Sequence, residues 1–465
     1  MSLFQPHLAA IRFGTGRSPV HPDPASAQAM LDALSGPDSG AAAFPVSPMD
    51  DVLPWVEPYR ALVKARNQGD ADPQEVLDML KEIRKSERRH WLEGLASTVS
   101  RGVAADDGFR DRLTLFWADH FTAAGRGAFL RNRVDTYVDA AIRPNVAGKF
   151  ADMLKAAELH PVMLQYLNQN TSVGPGSKLA ENRPNRRLGL NENLGRELLE
   201  LHTVGVDAGY GQEDVRQMAE LLAGLNVTNE MEMVFQPGRA EPGAEHVLGF
   251  SSSPRRDQLQ DILNALDYLA VHPDTAAHLS RKLAVHFVSD TPDEDLVASM
   301  AARYRESGGD LMQVYDAMLS HPAAWAPELQ KIKRPVDYVT SALRGLGADP
   351  HALVATARET PRQTYRDLVN PLIFMGQRWG EPDGPNGWPE EGAAWITANA
   401  LAQRLKWAMR ASSMPGVPAM AEPLQLAEAA LGPLAGERLR FAAGAAETRG
   451  EGIGLVLISP EFQRR

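Results

Sequence analysis

Val76–Ser97 reads VLDMLKEIRKSERRHWLEGLAS and Tyr137–Leu159 reads YVDAAIRPNVAGKFADMLKAAEL. In both stretches apolar side chains recur three and four positions apart, as in Val76, Met79, Leu80 and Ile83, with charged residues between them. That spacing lines one face of a helix and fits no strand, whose side chains alternate with a period of two. The same pattern runs from Pro58 to about Leu167 and predicts four or five helices there. The fold expected from it is mainly α.

Working outward, residues 17–54 follow an RFGTG turn (Arg12–Gly16) and are rich in Pro, Ala, Ser and Asp. They lack sustained periodicity and read as an extended surface arm. Residues 168–190, NQNTSVGPGSKLAENRPNRRLGL, form a long Gly-, Pro- and Asn-rich loop. Loops of that length tend to be functional or mobile. Residues 226–250 alternate short apolar runs on either side of a Pro-Gly turn and predict a small β-hairpin. His160-Pro161, His272-Pro273 and His321-Pro322 each precede a helical pattern, and a proline in the first turn needs no donor, so all three read as helix starts. No stretch has the length and composition of a domain linker, and no repeat of period 20–50 stands out. One large helical domain with a small hairpin insertion over residues 1–465 is the expectation.

Forty-eight basic residues against 59 acidic ones give a net charge of -11. That charge opposes binding to phosphate backbones and to anionic lipid. The chain has no cysteine, so disulfides, thiolate nucleophiles, iron–sulfur clusters and cysteine zinc sites are excluded. Any metal must be held by His, Asp, Glu or Asn. No run of about 18 apolar residues predicts a membrane span. Residues 1–20 show no basic start followed by an apolar core, so the cytoplasm is the default location and the periplasm the alternative.

Leu190–Gly205, LNENLGRELLELHTVG, is the most polar helical stretch, with Asn191 as its cap and Gly205 as its end. At about 100° per residue, Asn193, Arg196, Glu197 and Glu200 share roughly a third of the circumference, while Leu194, Leu198 and Leu201 take another side and His202 points away from the stripe. Asn193, Glu197 and Glu200 are an oxygen donor set for a hard divalent cation; alternatively the two carboxylates act as acid and base beside Arg196. Against both stands a solvated face held by helical ion pairs. Leu115–Thr122, LFWADHFT, puts His120 among aromatics, as a base depressed by burial, a metal ligand or a satisfied core histidine. RFGTG sets a cation beside a turn that can hold an anion, but lacks the strand and lysine of a phosphate loop. GxSxG, HExxH, dinucleotide and EF-hand patterns are missing.

RFGTG, FWADHF, NENLGRELLELHTVGV with YGQEDV, HPDTAAHLSRKLAVHFV, KRPVDYV, MGQRWGEPDGPNGWP and the closing SPEF together resemble, across nearly the whole chain, the large bacterial family catalogued as domain of unknown function 1800. The resemblance implies a largely helical single domain, often encoded beside a sulfatase-like protein and often exported, and supplies no reaction. It matches at His120, Asn191, Glu192, Asn193, Arg196, Glu197, Glu200 and His202. It departs at Ala240, Glu241 and Glu245, where the family usually carries a His-Asp pair and a Lys, and in the missing export signal.

The expectation that follows is a hydrolase-like enzyme. Its pocket would join His120, as proton relay, to Arg196, Glu197 and Glu200, with a divalent cation on Asn193, Glu197 and Glu200 as the candidate cofactor. One rival is a binding or maturation partner for the sulfatase-like protein, in which the polar cluster only fixes helix packing. The other is a redox protein with haem among Trp117, His120 and Phe121.

Overall fold

The computed structural model describes residues 4–253, 258–418 and 421–465. Its longest helix, α1 (Pro73–Ala104), opens at Asp72, whose carboxylate accepts from Gln74 N at 2.8 Å, with Pro73 in the first turn. After it come α2 (Phe109–His120), α3 (Pro273–Phe287), α4 (Pro335–Gly345), α5 (Ala398–Ala411) and α6 (Arg449–Ile458). The three His-Pro sites do begin helical turns. Each histidine adds a cap, its Nδ1 accepting the backbone N–H two residues on at 3.2 Å.

Two large apolar clusters hold the chain. The first gathers side chains between Leu8 and Trp325, including Phe109, Phe116 and Trp117 of α2 and Leu283 and Phe287 of α3. The second gathers those between Val336 and Phe462, together with Leu92, Leu95, Val99 and Val103 from the C-terminal half of α1. Ile83, nearer the start of α1, belongs to the first. Thus α1 serves both cores, and burying its two faces is what its apolar spacing encodes.

Among the described residues the β structure is small, and it is two hairpins where one was expected. β1 (Leu225–Val227) pairs antiparallel with β2 (Met233–Phe235), Leu225 opposite Phe235, and β3 (His246–Val247) pairs with β4 (Phe250–Ser251). The expected arm over 17–54 is corrected as well. It contains the helix Ala27–Ser35, capped by Ser26 Oγ at 3.0 Å from Ala29 N, with Met30, Leu31 and Leu34 buried. Nine residues between Pro- and Gly-rich flanks leave too short a window for periodicity to show. The 168–190 stretch is mostly loop, broken by a 3₁₀ turn at Gln169–Thr171 and a helical turn at Lys178–Glu181. Among the described residues no helix is long and apolar enough to cross a membrane.

Candidate functional site

Where the two cores meet lies a cleft of about 100 Å³ whose walls come from segments far apart in sequence. Arg101 on α1, Arg112 and Asp119 on α2, Asp135, and His286 on α3 face Lys333, Arg334 and Asp337 at the start of α4, with Trp379 and Trp388 from the loop before α5. Sites commonly form at such junctions.

The charges in its floor are ordered pairwise. Asp337 accepts from Arg112 at 2.7 Å and from Arg465 at 2.5 Å. Asp119 accepts from Arg334 at 2.7 Å and from Trp388 N at 2.8 Å. Glu390 binds Arg334 at 2.8 Å and His286 Nδ1 at 2.7 Å, with Lys331 Nζ at 3.5 Å. Burial alone would raise the Glu390 carboxyl, but Arg334, His286 and Lys331 hold it well below the usual carboxylate range. His286 Nε2 meets an Arg112 NH2 at 3.0 Å. A guanidinium only donates, so Nε2 is the acceptor and Nδ1–H points at Glu390. Burial lowers the His286 pKa against the opposing pull of Glu390, so the ring is a neutral base with one tautomer selected.

Two further groups in the same cleft are displaced toward neutrality. Burial pushes the Asp135 carboxyl up to about 7, although Trp379 Nε1 donates to it at 3.0 Å. The carboxylate fits because residue 94 on α1 is glycine: a Cβ there would stand 2.6 Å from Asp135 Oδ2. Burial also brings the Lys333 amine down to about 7, with Asp337 opposing and Arg112 and Arg404 assisting. Lys333 is held in place by its backbone. Residues 331–333 pair antiparallel with 463–465, Lys333 N donating to Gln463 O at 2.9 Å, which sets the Phe462 ring 3.9 Å from Lys333 Nζ.

The sequence-predicted residues lie elsewhere. His120 is buried in the first core, Nδ1 at 2.9 Å from Lys282 Nζ and Nε2 at 3.1 Å from the His202 carbonyl. Burial first, then Lys282, His202 and His278, holds its pKa well below the ordinary value. With both nitrogens engaged and Trp117 Nε1 bonded to Tyr315 at 2.7 Å, the Trp117–His120–Phe121 cluster does not fit a haem, whose iron needs a free imidazole nitrogen. Asn193 is exposed, and Arg196 ties Glu200 at 3.2 Å and Glu192 at 3.3 Å, the helical ion pairs of a half-exposed face. Glu197 is half-buried, which raises its carboxyl pKa. Asn193, Glu197 and Glu200 thus do not form a closed donor shell, since Glu200 is already engaged. Among the described residues no three His, Asp or Glu side chains come together as a metal-ligating group. None of Asn193, Arg196, Glu197, Glu200 and His120 lines the cleft, though Asp119 beside His120 does.

His202, by contrast, is fully buried with Nδ1 2.6 Å from Glu158 Oε1, itself buried. Arg12 of the RFGTG turn donates to the carbonyls of Ala324, Ala326 and Glu328 at 2.5–2.9 Å, a clamp between segments that spends its guanidinium on backbone oxygens. The departing segment packs on the 168–190 loop, Glu241 accepting from Gly176 N at 2.8 Å. It contributes nothing to the cleft walls. The signal missed in the sequence is on α3. His278, Lys282 and His286 stand four apart and share one face, a basic stripe with no surface reason to be histidine-rich.

Comparison with protein-family models matches residues 9–464 to the family described as "Protein of unknown function (DUF1800)". No curated protein and no solved structure matches the chain.

Proposed function

The chain belongs to the DUF1800 family, and from the geometry of its cleft we propose that it is an enzyme moving protons on a small anionic substrate held between the two cores. One observation carries this reading: a single cleft whose walls combine a neutral histidine base oriented by a carboxylate, a carboxylic acid near neutrality and an array of buried guanidinium groups. Groups displaced toward the working pH by burial and neighbours are what acid–base catalysis requires, and active sites gather them. His286 would take a proton at Nε2 once the Arg112 guanidinium turns from that nitrogen to the substrate anion, with Glu390 stabilising the cation that forms. Asp135 would return one. Arg112, Arg334 and Arg465 would attract and orient the anion. Hydrolysis, the reaction class expected from the sequence, uses this set with water as the nucleophile. The NEN helix then acts as support: His202 and Glu158 lock it, and its exposed face carries Arg196, Glu197 and Glu200.

The test is thermal shift against phosphate, sulfate, oxalate and simple monocarboxylates, for the protein and for Asp135→Asn and His286→Gln. We expect at least one small anion to raise the melting temperature, and to do so less in His286→Gln. A protein that no small anion stabilises would overturn the reading. A second reading, a binding or maturation partner for a sulfatase-like protein, is favoured by the large apolar side chains exposed in the C-terminal part, Phe374 at 55% and Phe441 at 78%. Co-purification that depends on Phe441 but not on His286 would favour it.

A further inference from the structure

Among the described residues six buried lysine and arginine side chains line the cleft, and five are engaged. Arg112 and Arg465 hold Asp337, Arg334 holds Asp119 and Glu390, Arg101 holds Asp139, and Arg143 holds Asp38 and Asp111. The sixth is Lys333. Its side chain is 3% exposed and lines the cleft, and among the described residues its Nζ forms no hydrogen bond and no ion pair. Its near neighbour is the face of Phe462, 3.9 Å from the nitrogen. A lysine kept only for structure is expected to be paired, because an unpaired buried ammonium is strongly disfavoured and gives up its proton instead. Lys333 is therefore in equilibrium with the neutral amine near pH 7. That is the form in which a desolvated lysine beside other cations becomes a nucleophile. A second observation points to what it meets. Among the described residues the buried Nε–H groups of Arg112, Arg334 and Arg465 have no partner, donors left over for an anionic group at the same floor.

We infer that Lys333 is a carbonyl-reactive amine, and that the cleft takes a small oxo acid whose aldehyde or ketone carbon forms a Schiff base with Lys333 Nζ while its carboxylate lies against the arginines. The step balances without any oxidant or reductant. The nitrogen lone pair forms a bond to the carbonyl carbon, and the C=O π pair moves to oxygen, which takes a proton. The resulting hydroxyl leaves as water after a second protonation, and nitrogen, having lost its two protons, is left doubly bonded to carbon. His286 and Asp135, in the same cleft, are the groups placed to carry those protons. The inference rests on the reading of the cleft as an active site and adds to it a substrate class and a nucleophile.

The experiment is reductive trapping with glyoxylate and cyanoborohydride at pH 7, followed by peptide mapping. The hydride converts the C=N to a stable secondary amine and leaves one carboxymethyl group on the lysine that reacted. We expect Lys333 to be labelled on the order of 100-fold faster than the exposed lysines, which are almost wholly protonated at this pH. Oxalate, which has carboxylates but no aldehyde, should slow that labelling. The mapping is done on the unaltered protein, so the outcome does not depend on a variant that folds. Lys333→Met, checked by circular dichroism, measures the background. Lys282, bonded to His120, serves as a buried control. Label spread over surface lysines with Lys333 unmodified overturns the inference. If any of the small anions still stabilises the protein in that case, the anion-binding reading survives alone; if none does, both fall.

Discussion

Asp119 accepts from the Arg334 guanidinium and from Trp388 N, and the loop reaches it only because residue 387 has no side chain. Gly387 has φ +74°, and a Cβ there would stand 2.5 Å from Asp119 Oδ1. Gly387→Ala should therefore cost about 1–3 kcal/mol, from the left-handed backbone and the displaced carboxylate together. Urea unfolding would measure it, and a loss below about 0.5 kcal/mol would show that the loop moves freely away from Asp119. Asp119 and His120 also show where legibility ends for single residues. FWADHF marks the stretch as rich in chemistry, but a one-residue step on a helix turns a side chain by about 100°. Asp119 thereby enters the cleft while His120 enters the core, and nothing local says which side is which. Lys333 was invisible for the same reason. Its neighbour Phe462 arrives through a β-bridge to 463–465 that no periodicity predicts.

Helices rather than residues explain the NEN stretch. The helix Asn193–Glu197 passes into a π turn at Leu198–His202, closed by Thr203 Oγ1 on the Leu198 carbonyl at 2.6 Å. A π turn has more residues per turn than an α-helix, so positions beyond 197 rotate away from where a uniform helix would put them. His202 reaches Glu158 on the helix Phe150–Glu158, and Glu200 remains at the surface with Arg196. We expect His202→Ala to cost about 1–3 kcal/mol by removing the polar neighbour of a buried carboxyl. Glu200→Ala should cost about 0.2–1 kcal/mol, as exposed pairs do. Chemical denaturation of the two variants checks the contrast, and equal losses would contradict this assignment. The buried histidines set a pH dependence. His120 and His286 are depressed by burial, and His160 and His278 are brought down to about 4, so the unfolded chain binds more protons than the folded one between about pH 4 and 6.5. Stability then falls on acidification through that window, by up to about 1.4 kcal/mol per pH unit for each group. Asp135, raised to about 7, acts in the opposite direction there, because the folded protein keeps its proton where the unfolded one loses it. A urea midpoint lower at pH 5 than at pH 7, and a steeper decline in Asp135→Asn, are the expected results. A flat profile would mean that these histidines are solvated.

For the whole molecule, a mainly helical chain was legible because its periodicity is repeated in many segments, whereas its division into two cores was not. That division falls inside α1, where Ile83 packs in the first core and Leu92 in the second, and the apolar spacing runs on without a break to mark the change of partner. The segments that carry the family resemblance are scattered along the sequence, and most of them meet in one place. RFGTG, FWADHF, the α3 stretch, KRPVDYV and the MGQRWGEPDGPNGWP loop all supply walls of the cleft, and SPEF supplies the ring under Lys333. That convergence ties the two cores through charges. Arg112 belongs to the first core's α2 and Asp337 to the second core's α4, and Arg344 on α4 donates to five carbonyls at Gly16 and Gly102–Asp106. If these contacts make the cores one cooperative unit, amides in both should exchange with a common opening free energy, followed peptide by peptide in hydrogen exchange. Asp337→Ala leaves Arg112 and Arg465 facing each other with no carboxylate between them, a defect on the order of 3–5 kcal/mol placed at the junction itself. The expected result is therefore a split: peptides of α4 and α6 open at lower free energy than those of α3 and the helix Phe150–Glu158, while the Arg344 clamp keeps the end of α1 with α4. If all peptides instead shift together, the junction is held by the shared apolar face of α1, and the charges at the cleft contribute little to it.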